Sequence, residues 1–316
     1  MAYPQFHCPV CQHVLPEIGD VIRCPSCQQR YGVWHGLPEL IAKQHLDSFK
    51  QTERHFHDEL ATSVRRGRIA GRMSDFHRHF KQPMFDLPGH AAILEVACGT
   101  RADGIELALA GKDVTCLDIS LDAVQEGQRL AQQNSAGRIR FLVADGEHLP
   151  FADCSFDATF IAASFHHFPN QLAALNEMKR VTKHGGYVIW GVEPAAWPYQ
   201  TVFRLLRPVK NYIRKHRVRR HDSIADDSTT GYTQKDIRVL FQQAGLVILE
   251  IKPVKFLSEF YDSGTRLIGR VIRRDLRPWS TLDHVLSRID TLLEQVPLLN
   301  RLFWHWNVIA RVPKPV

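Results

Sequence analysis

The sequence predicts an α/β fold: an open parallel sheet with helices on its faces, preceded by a small metal-held module. Three observations carry this reading. From residue 90 onward, short apolar runs alternate with helical stretches. Four of those runs end on acidic or small polar residues. Four of the seven cysteines form two CxxC pairs within the first 27 residues. Strands alternating with helices imply a parallel sheet, with ligands at the strands' C-terminal ends.

The length, 316 residues, suits one large domain and a small one. The chain divides into a module at 1–42, a helical linker or cap at 43–89, and a main domain at 90–316 with inserts at about 197–232 and 255–300. Hydrophobic residues, 44%, are enough for a normal core. No run approaches the roughly 18 apolar residues of a membrane span, and Met1–His7 lacks the features of a secretory signal. The expected location is the cytoplasm, with the inner membrane face as a peripheral alternative. A net charge of +7 and a pI near 9.1 favour an anionic partner without choosing among nucleic acid, membrane surface and phosphorylated small molecule.

Cys8-Pro-Val-Cys11 and Cys24-Pro-Ser-Cys27 are matched knuckles twelve residues apart. Two knuckles supply the four thiolates of a tetrahedral structural Zn2+, and four Cys leave no open position for catalysis. A redox pair is the alternative, and the matched repeat argues against it. So short a segment needs its metal to fold. Its layout, through Tyr31-Gly32-Val33-Trp34 and Gly36-Leu37-Pro38, resembles zinc ribbons fused to methyltransferases. It is also similar to the zinc-ribbon partner proteins of tRNA methyltransferases. Residues 43–86 read as polar helix, with Phe56, Leu60 and Val64 as an apolar face. A basic patch spans Arg65 to Arg72, and Phe76, Phe80 and Phe85 are expected core contacts.

Ala92–Val96 is the first buried strand, followed by the turn Cys98-Gly99-Thr100 and a helix. Val114–Leu117 ends in Asp118, placed to accept hydrogen bonds from ribose hydroxyls. Arg140–Ala144 closes on Asp145-Gly146-Glu147. Phe156–Ala163 leads to Ser164 and His166. Tyr187–Val192 is the fifth strand, after a helix expected to end at Gly185-Gly186. Ser120, Asn170 and Thr233 read as helix caps, and Ser280-x-x-Asp283 as a capping box. Leu246–Ile251 and Trp306–Val312 are the last strands.

In combination, Leu94–Thr100, Leu117–Ser120, Ala144–Phe151, Phe156–Phe168 and Glu177–Gly186 resemble the motifs of class I S-adenosylmethionine-dependent methyltransferases. The likeness is to the small-molecule group that includes ubiquinone- and biotin-pathway enzymes, and it spans about residues 90–255. It implies a Rossmann-like, seven-stranded core and S-adenosylmethionine as cofactor. It further implies that Glu95 orients the first turn, Gly99 allows close approach, Asp118 holds the ribose, and Asp145 with Gly146 binds the adenine. Thr100, Ile119, Glu147 and Ser164 complete the expected cofactor site. Ala97 and Arg101 replace the family's usual glycines. Ala97 is a tolerated change, while Arg101 either reaches the cofactor carboxylate or obstructs the turn. The dehydrogenase alternative wants an uninterrupted GxGxxG turn, which these two residues break.

Methyl transfer needs alignment, and a base only where the acceptor must lose a proton. His166 and His167 are the candidates, with packing as the competing role. Arg204 to Arg220 is a basic amphipathic run suited to a solvated helix, an anionic membrane or RNA, and Arg266–Arg274 is a second. Three functions follow. The first is methylation of a small or membrane-associated acceptor, such as a lipid-linked saccharide or quinone precursor. The second is RNA methylation guided by the ribbon, and the third is a non-catalytic protein on a cofactor fold.

Overall fold

A computed structural model describes residues 3–65, 75–100, 102–205, 208, 223–272, 276, 279–296 and 298–315. Arg101, the basic patch from Arg66 to Arg72, most of the 204–221 basic run, and Arg273 and Arg274 lie outside them.

The strands are β1 (Val21–Arg23), β2 (Arg30–Trp34), β3 (Leu37–Leu40), β4 (Ala92–Val96), β5 (Asp113–Asp118), β6 (Ile139–Ala144), β7 (Phe156–Ala162), β8 (Thr182–Pro194), β9 (Val247–Val254) and β10 (His305–Arg311). They form one sheet in the order β1-β2-β3-β6-β5-β4-β7-β8-β10-β9. Strands β3 to β8 of that order run parallel, and β10 is antiparallel to both β8 and β9. The sheet has ten strands rather than the seven expected, because the N-terminal module does not stand apart: β3 pairs with β6 through Glu39↔Val143 and Leu40↔Ala144.

The helices are α1 (Ser48–Arg65), α2 (Asp75–Phe85), α3 (Gly104–Leu109), α4 (Leu121–Gln133), α5 (Gln171–Val181), α6 (Ile224–Ser228), α7 (Gln234–Gln243), α8 (Leu257–Ile272) and α9 (Ser280–Leu293). Both sheet faces are covered. On one, Trp190, Phe165 and Phe241 pack with Cys8, Leu15, Ile22 and Tyr31 of the module. On the other lie Phe80, Phe160, Leu107 and Val124. Burying each such side chain stabilises the fold by roughly 1.5–3 kcal/mol. Gly191 is needed for this packing, since a Cβ there would sit 2.6 Å from the Phe80 ring.

Three caps stand where the sequence places them: Ser120, Asn170 and Thr233 each accept a backbone N–H three residues on. Two expectations are corrected. Trp279, not Ser280, is the cap of α9 and makes no side-chain capping bond; Ser280 is the first helical residue. Gly185-Gly186 lie inside β8, which begins at Thr182, because their backbone pairs with Val312. The apolar face read for α1 is met only in part: Phe56 is half-buried, and the Val64 side chain lies outside the described residues. Leu60 is exposed, whereas Lys50, Glu53 and Ala61 are buried. No described helix is long and apolar enough to cross a membrane.

Candidate functional site

The ends of β4, β5, β6 and β7 open on a common pocket beneath α1. Its floor is Ala97 and Gly99 after β4, Leu117, Asp118 and Ile119 at β5, Ala144, Asp145 and Gly146 at β6, and Ser164 after β7. Its wall continues through His167, Phe168 and Pro169, and α1 contributes Lys50, Glu53 and His57. Of the residues expected from sequence, Ala97, Gly99, Asp118, Ile119, Asp145, Gly146, Ser164 and His167 therefore meet on one surface. Glu95, Thr100, Glu147 and His166 stand outside the lining.

The first turn is bent tightly. Ala97 and Gly99 both adopt positive φ, 54° and 56°, a conformation that costs a non-glycine residue about 1–2 kcal/mol. Interactions from neighbouring elements hold it. Cys98 N–H donates to the Leu117 carbonyl at 2.9 Å, and Gly99 N–H to Asp118 Oδ2 at 2.8 Å. Glu95 acts from behind, accepting Asp103 N–H at 2.9 Å and Gly104 N–H at 2.8 Å. Burial, with the charge of Asp103, pushes its carboxyl up to about 8 despite these donors. A Cβ at Gly104 would lie 2.9 Å from Glu95 Oε2, so this approach requires glycine.

Asp118 is 5% exposed, and its other oxygen accepts Ser120 N–H at 2.9 Å. A carboxylate accepts about four hydrogen bonds, so each oxygen keeps a lone pair for a ligand. At β6, Lys50 bridges Asp145 and Glu147, 2.7 Å from each. Burial works to lower the Lys50 ammonium, but its two carboxylate partners outweigh this and raise it. Gly146 has no room for a side chain, because a Cβ would meet Phe168 at 2.7 Å and Val96 at 2.8 Å.

The two histidines differ. His166 Nδ1 lies 3.1 Å from Glu193 Oε2 and its Nε2 3.2 Å from Asp226 Oδ1. Burial would lower its pKa, but the bonds to Asp226 and Glu193 prevail and raise it to about 9. It is thus a cation at neutral pH. His167 Nδ1 lies 2.8 Å from Glu53 Oε2. An ionised carboxylate only accepts, so Nδ1 carries the proton, while Nε2 lies 3.7 Å from Asp226 Oδ1. Glu53 is itself fixed by Ser223 Oγ, Ile224 N–H and Ala225 N–H. Burial works to raise its pKa, while His167 and the α6 donors pull it below the usual range. His148 stacks on His45, with ring centroids 3.7 Å apart.

Lys50, Glu53, His57, Glu193 and Asp226 were not expected here. The one signal for the α1 residues was their spacing, 50, 53 and 57, which puts them on one helical face.

The four knuckle cysteines have their sulfurs within 4.8 Å of one another. Cys8 and Cys27 lie 3.6 Å apart, as do Cys11 and Cys24. A tetrahedron with Zn–S bonds of ~2.3 Å has edges of ~3.8 Å. Tyr31 Oη is 3.0 Å from Cys8 Sγ. Each knuckle turns through a residue at positive φ, Gln12 and Gln28. The module is anchored next to the β6 turn, where His7 N–H donates to the Pro150 carbonyl at 2.9 Å. Arg140 packs under the Tyr3 and Phe6 rings.

A family model described as a methyltransferase domain matches residues 94–190. The demethylmenaquinone methyltransferase of Geobacillus kaustophilus is 26% identical over 172 residues, covering 52% of this chain and 74% of that protein. The enzyme of the same name from Renibacterium salmoninarum is 38% identical over 119 residues, 37% of this chain and about half, 48%, of that protein. In fold, the chain is similar to Haemonchus contortus phosphoethanolamine N-methyltransferase 2 in complex with S-adenosyl-L-methionine. That likeness has a TM-score of 0.55 at 15% identity, over 88% of this chain and 62% of that one. The chain is an S-adenosylmethionine-dependent methyltransferase.

Proposed function

We propose that this S-adenosylmethionine-dependent methyltransferase methylates a quinone-type ring acceptor. One observation carries the cofactor assignment: Asp118 and Asp145, both nearly buried, face one pocket across the glycine turn. S-adenosylmethionine supplies an activated methyl on a sulfonium. Asp118 would hold the ribose hydroxyls, with Ile119 beside them. Asp145 and the Gly146 backbone would take the adenine, and Glu147 would steady that turn through Lys50. Gly99, with Ala97, Thr100 and Ser164 around it, would pass the methionine portion, while Glu95 keeps the turn in shape. Arg101 follows this turn and is expected to reach the cofactor carboxylate. Cys8, Cys11, Cys24 and Cys27 would hold a structural Zn2+.

The names of the relatives support a quinone-type acceptor. Such an acceptor becomes nucleophilic at carbon when a ring hydroxyl loses its proton. His167 is the base in this reading, with Glu53 as the residue that positions it.

Isothermal titration with S-adenosylmethionine tests the first half, and reduced demethylated naphthoquinones with mass detection of product test the second. Binding lost in Asp118→Ala, with a singly methylated quinol from wild type, is the expected result. Wild type that binds no cofactor, or that binds it and leaves every quinol unmethylated, would overturn the corresponding half.

A further inference from the structure

We infer that the helix pair α8–α9 is a docking surface for an anionic lipid bilayer, placed so that the acceptor site faces the membrane. The inference takes from the proposed function only that the acceptor is lipophilic.

Position comes first. The parallel strands carry the cofactor pocket at their C-terminal ends. Pro194, the last residue of β8, pairs with His305, the first of β10, and His305 pairs with Val254, the last of β9. The insert between β9 and β10 therefore leaves and rejoins the sheet at its pocket end. The segment that follows β8 starts from the same end.

Surface comes second. α8 exposes Phe260, Ile268 and Ile272. α9 exposes Leu282, Val285, Ile289 and Leu292 at spacings of three or four residues. Trp279, ahead of α9, is 67% exposed, and Leu298, beyond it, is 83% exposed. Isolated exposed apolar residues are ordinary, but apolar stripes on two adjacent helices are not.

Charge comes third. Residues 204–221 and 264–279 hold thirteen of the chain's 40 Lys and Arg but one of its 33 Asp and Glu. The rest of the chain keeps 27 basic and 32 acidic residues, so its basic excess comes from these two segments. Both adjoin the insert or the strand end beside it. Apolar stripes with an exposed Trp, next in sequence to arginine-rich segments, fit the interfacial region of an anionic bilayer. A polynucleotide would use the charge and leave the apolar stripes in water.

Vesicle flotation of the full chain decides it, with phosphatidylcholine vesicles containing phosphatidylglycerol set against pure phosphatidylcholine. The wild type is expected to float with the anionic vesicles and to be released by salt. Leu292→Glu combined with Leu298→Glu should weaken flotation by roughly tenfold or more while S-adenosylmethionine titrates unchanged. A wild type that stays at the bottom overturns the inference. So does a double variant that floats like wild type. A third overturning result is a chain that ignores vesicles but binds RNA, or that forms a dimer which the double variant dissociates. Methylation of a short-chain, water-soluble quinol tests the acceptor separately: its failure beside intact flotation removes the acceptor and leaves the surface.

Discussion

The floor and the roof of the pocket are built differently. The floor is backbone turns at four strand ends, tied by neighbours in the same sheet, such as Gly99 to Asp118 and Asp145 to Glu147. The roof is one helix, α1, held at three points by charged groups. Lys50 reaches Asp145, Glu53 reaches His167 and α6, and Asp58 accepts Ser120 Oγ at 2.6 Å. The floor takes its shape from the sheet. The roof depends on charged groups whose hydrogen-bond partners lie far along the chain. A binding surface can thus be fixed while the element above it is held by contacts that break one at a time.

Five substitutions separate floor from roof, the most severe first. If the four cysteines hold the proposed Zn2+, Cys24→Ser should release it and unfold the N-terminal module, because structural zinc contributes apparent energies on the order of 10 kcal/mol in isolated fingers. β3 supports the Asp145 turn, so cofactor affinity should fall as well. Metal loss by mass spectrometry with unchanged affinity would show that the floor stands without its buttress. Lys50→Met leaves Asp145 and Glu147 buried without their cation, a change that costs about 3–5 kcal/mol. Thermal unfolding should record that loss and stopped-flow a faster cofactor release; unchanged release would mean α1 does not gate exchange. Asp118→Ala should lower cofactor affinity by roughly a hundredfold, the worth of two charge-assisted hydrogen bonds. Because Asp118 also accepts the Gly99 and Ser120 N–H groups, the melting temperature should fall as well; an unchanged affinity would contradict the ribose role.

Glu53→Gln should reduce kcat on the order of tenfold with KM little changed, and should displace the acid limb of the pH profile. Equal losses in both parameters with an unmoved profile would assign Glu53 to structure alone. The smallest effect concerns His166. Its pKa is raised from its ordinary 6.5 to about 9, so its contribution to stability is full below 6.5 and fades as pH rises through 9. Denaturant titrations between these limits should slope downward for wild type and flatten for His166→Gln.

The same contrast explains what the sequence revealed. The floor was legible because strand, small-residue turn and terminal acid are adjacent in the chain. Glu95, Gly99, Asp118 and Asp145 lie at or near the ends of recognisable apolar runs. The caps Ser120, Asn170 and Thr233 were legible for the same local reason. The roof was not. Lys50 and Glu53 look like solvent-facing charges, and they are buried because partners 95 and 114 residues away hydrogen-bond them. Periodicity instead favoured Phe56 and Leu60, and the structure leaves Leu60 exposed. The ribbon's cysteines were evident, but its place in the main sheet was not, since two parallel pairings to β6 leave no periodic trace.

That pairing also has a bearing on synthesis. The ribbon is translated about a hundred residues ahead of β6. At ~5–20 residues per second, the interval lasts roughly 5–20 s. Throughout it, the β3 edge that later meets β6 has no strand beside it, and an open edge is a template for other chains. Metal capture by the knuckles would close the small module during that wait. Zinc supply at the ribosome would then govern how much of the chain reaches the folded state, before any cofactor is bound.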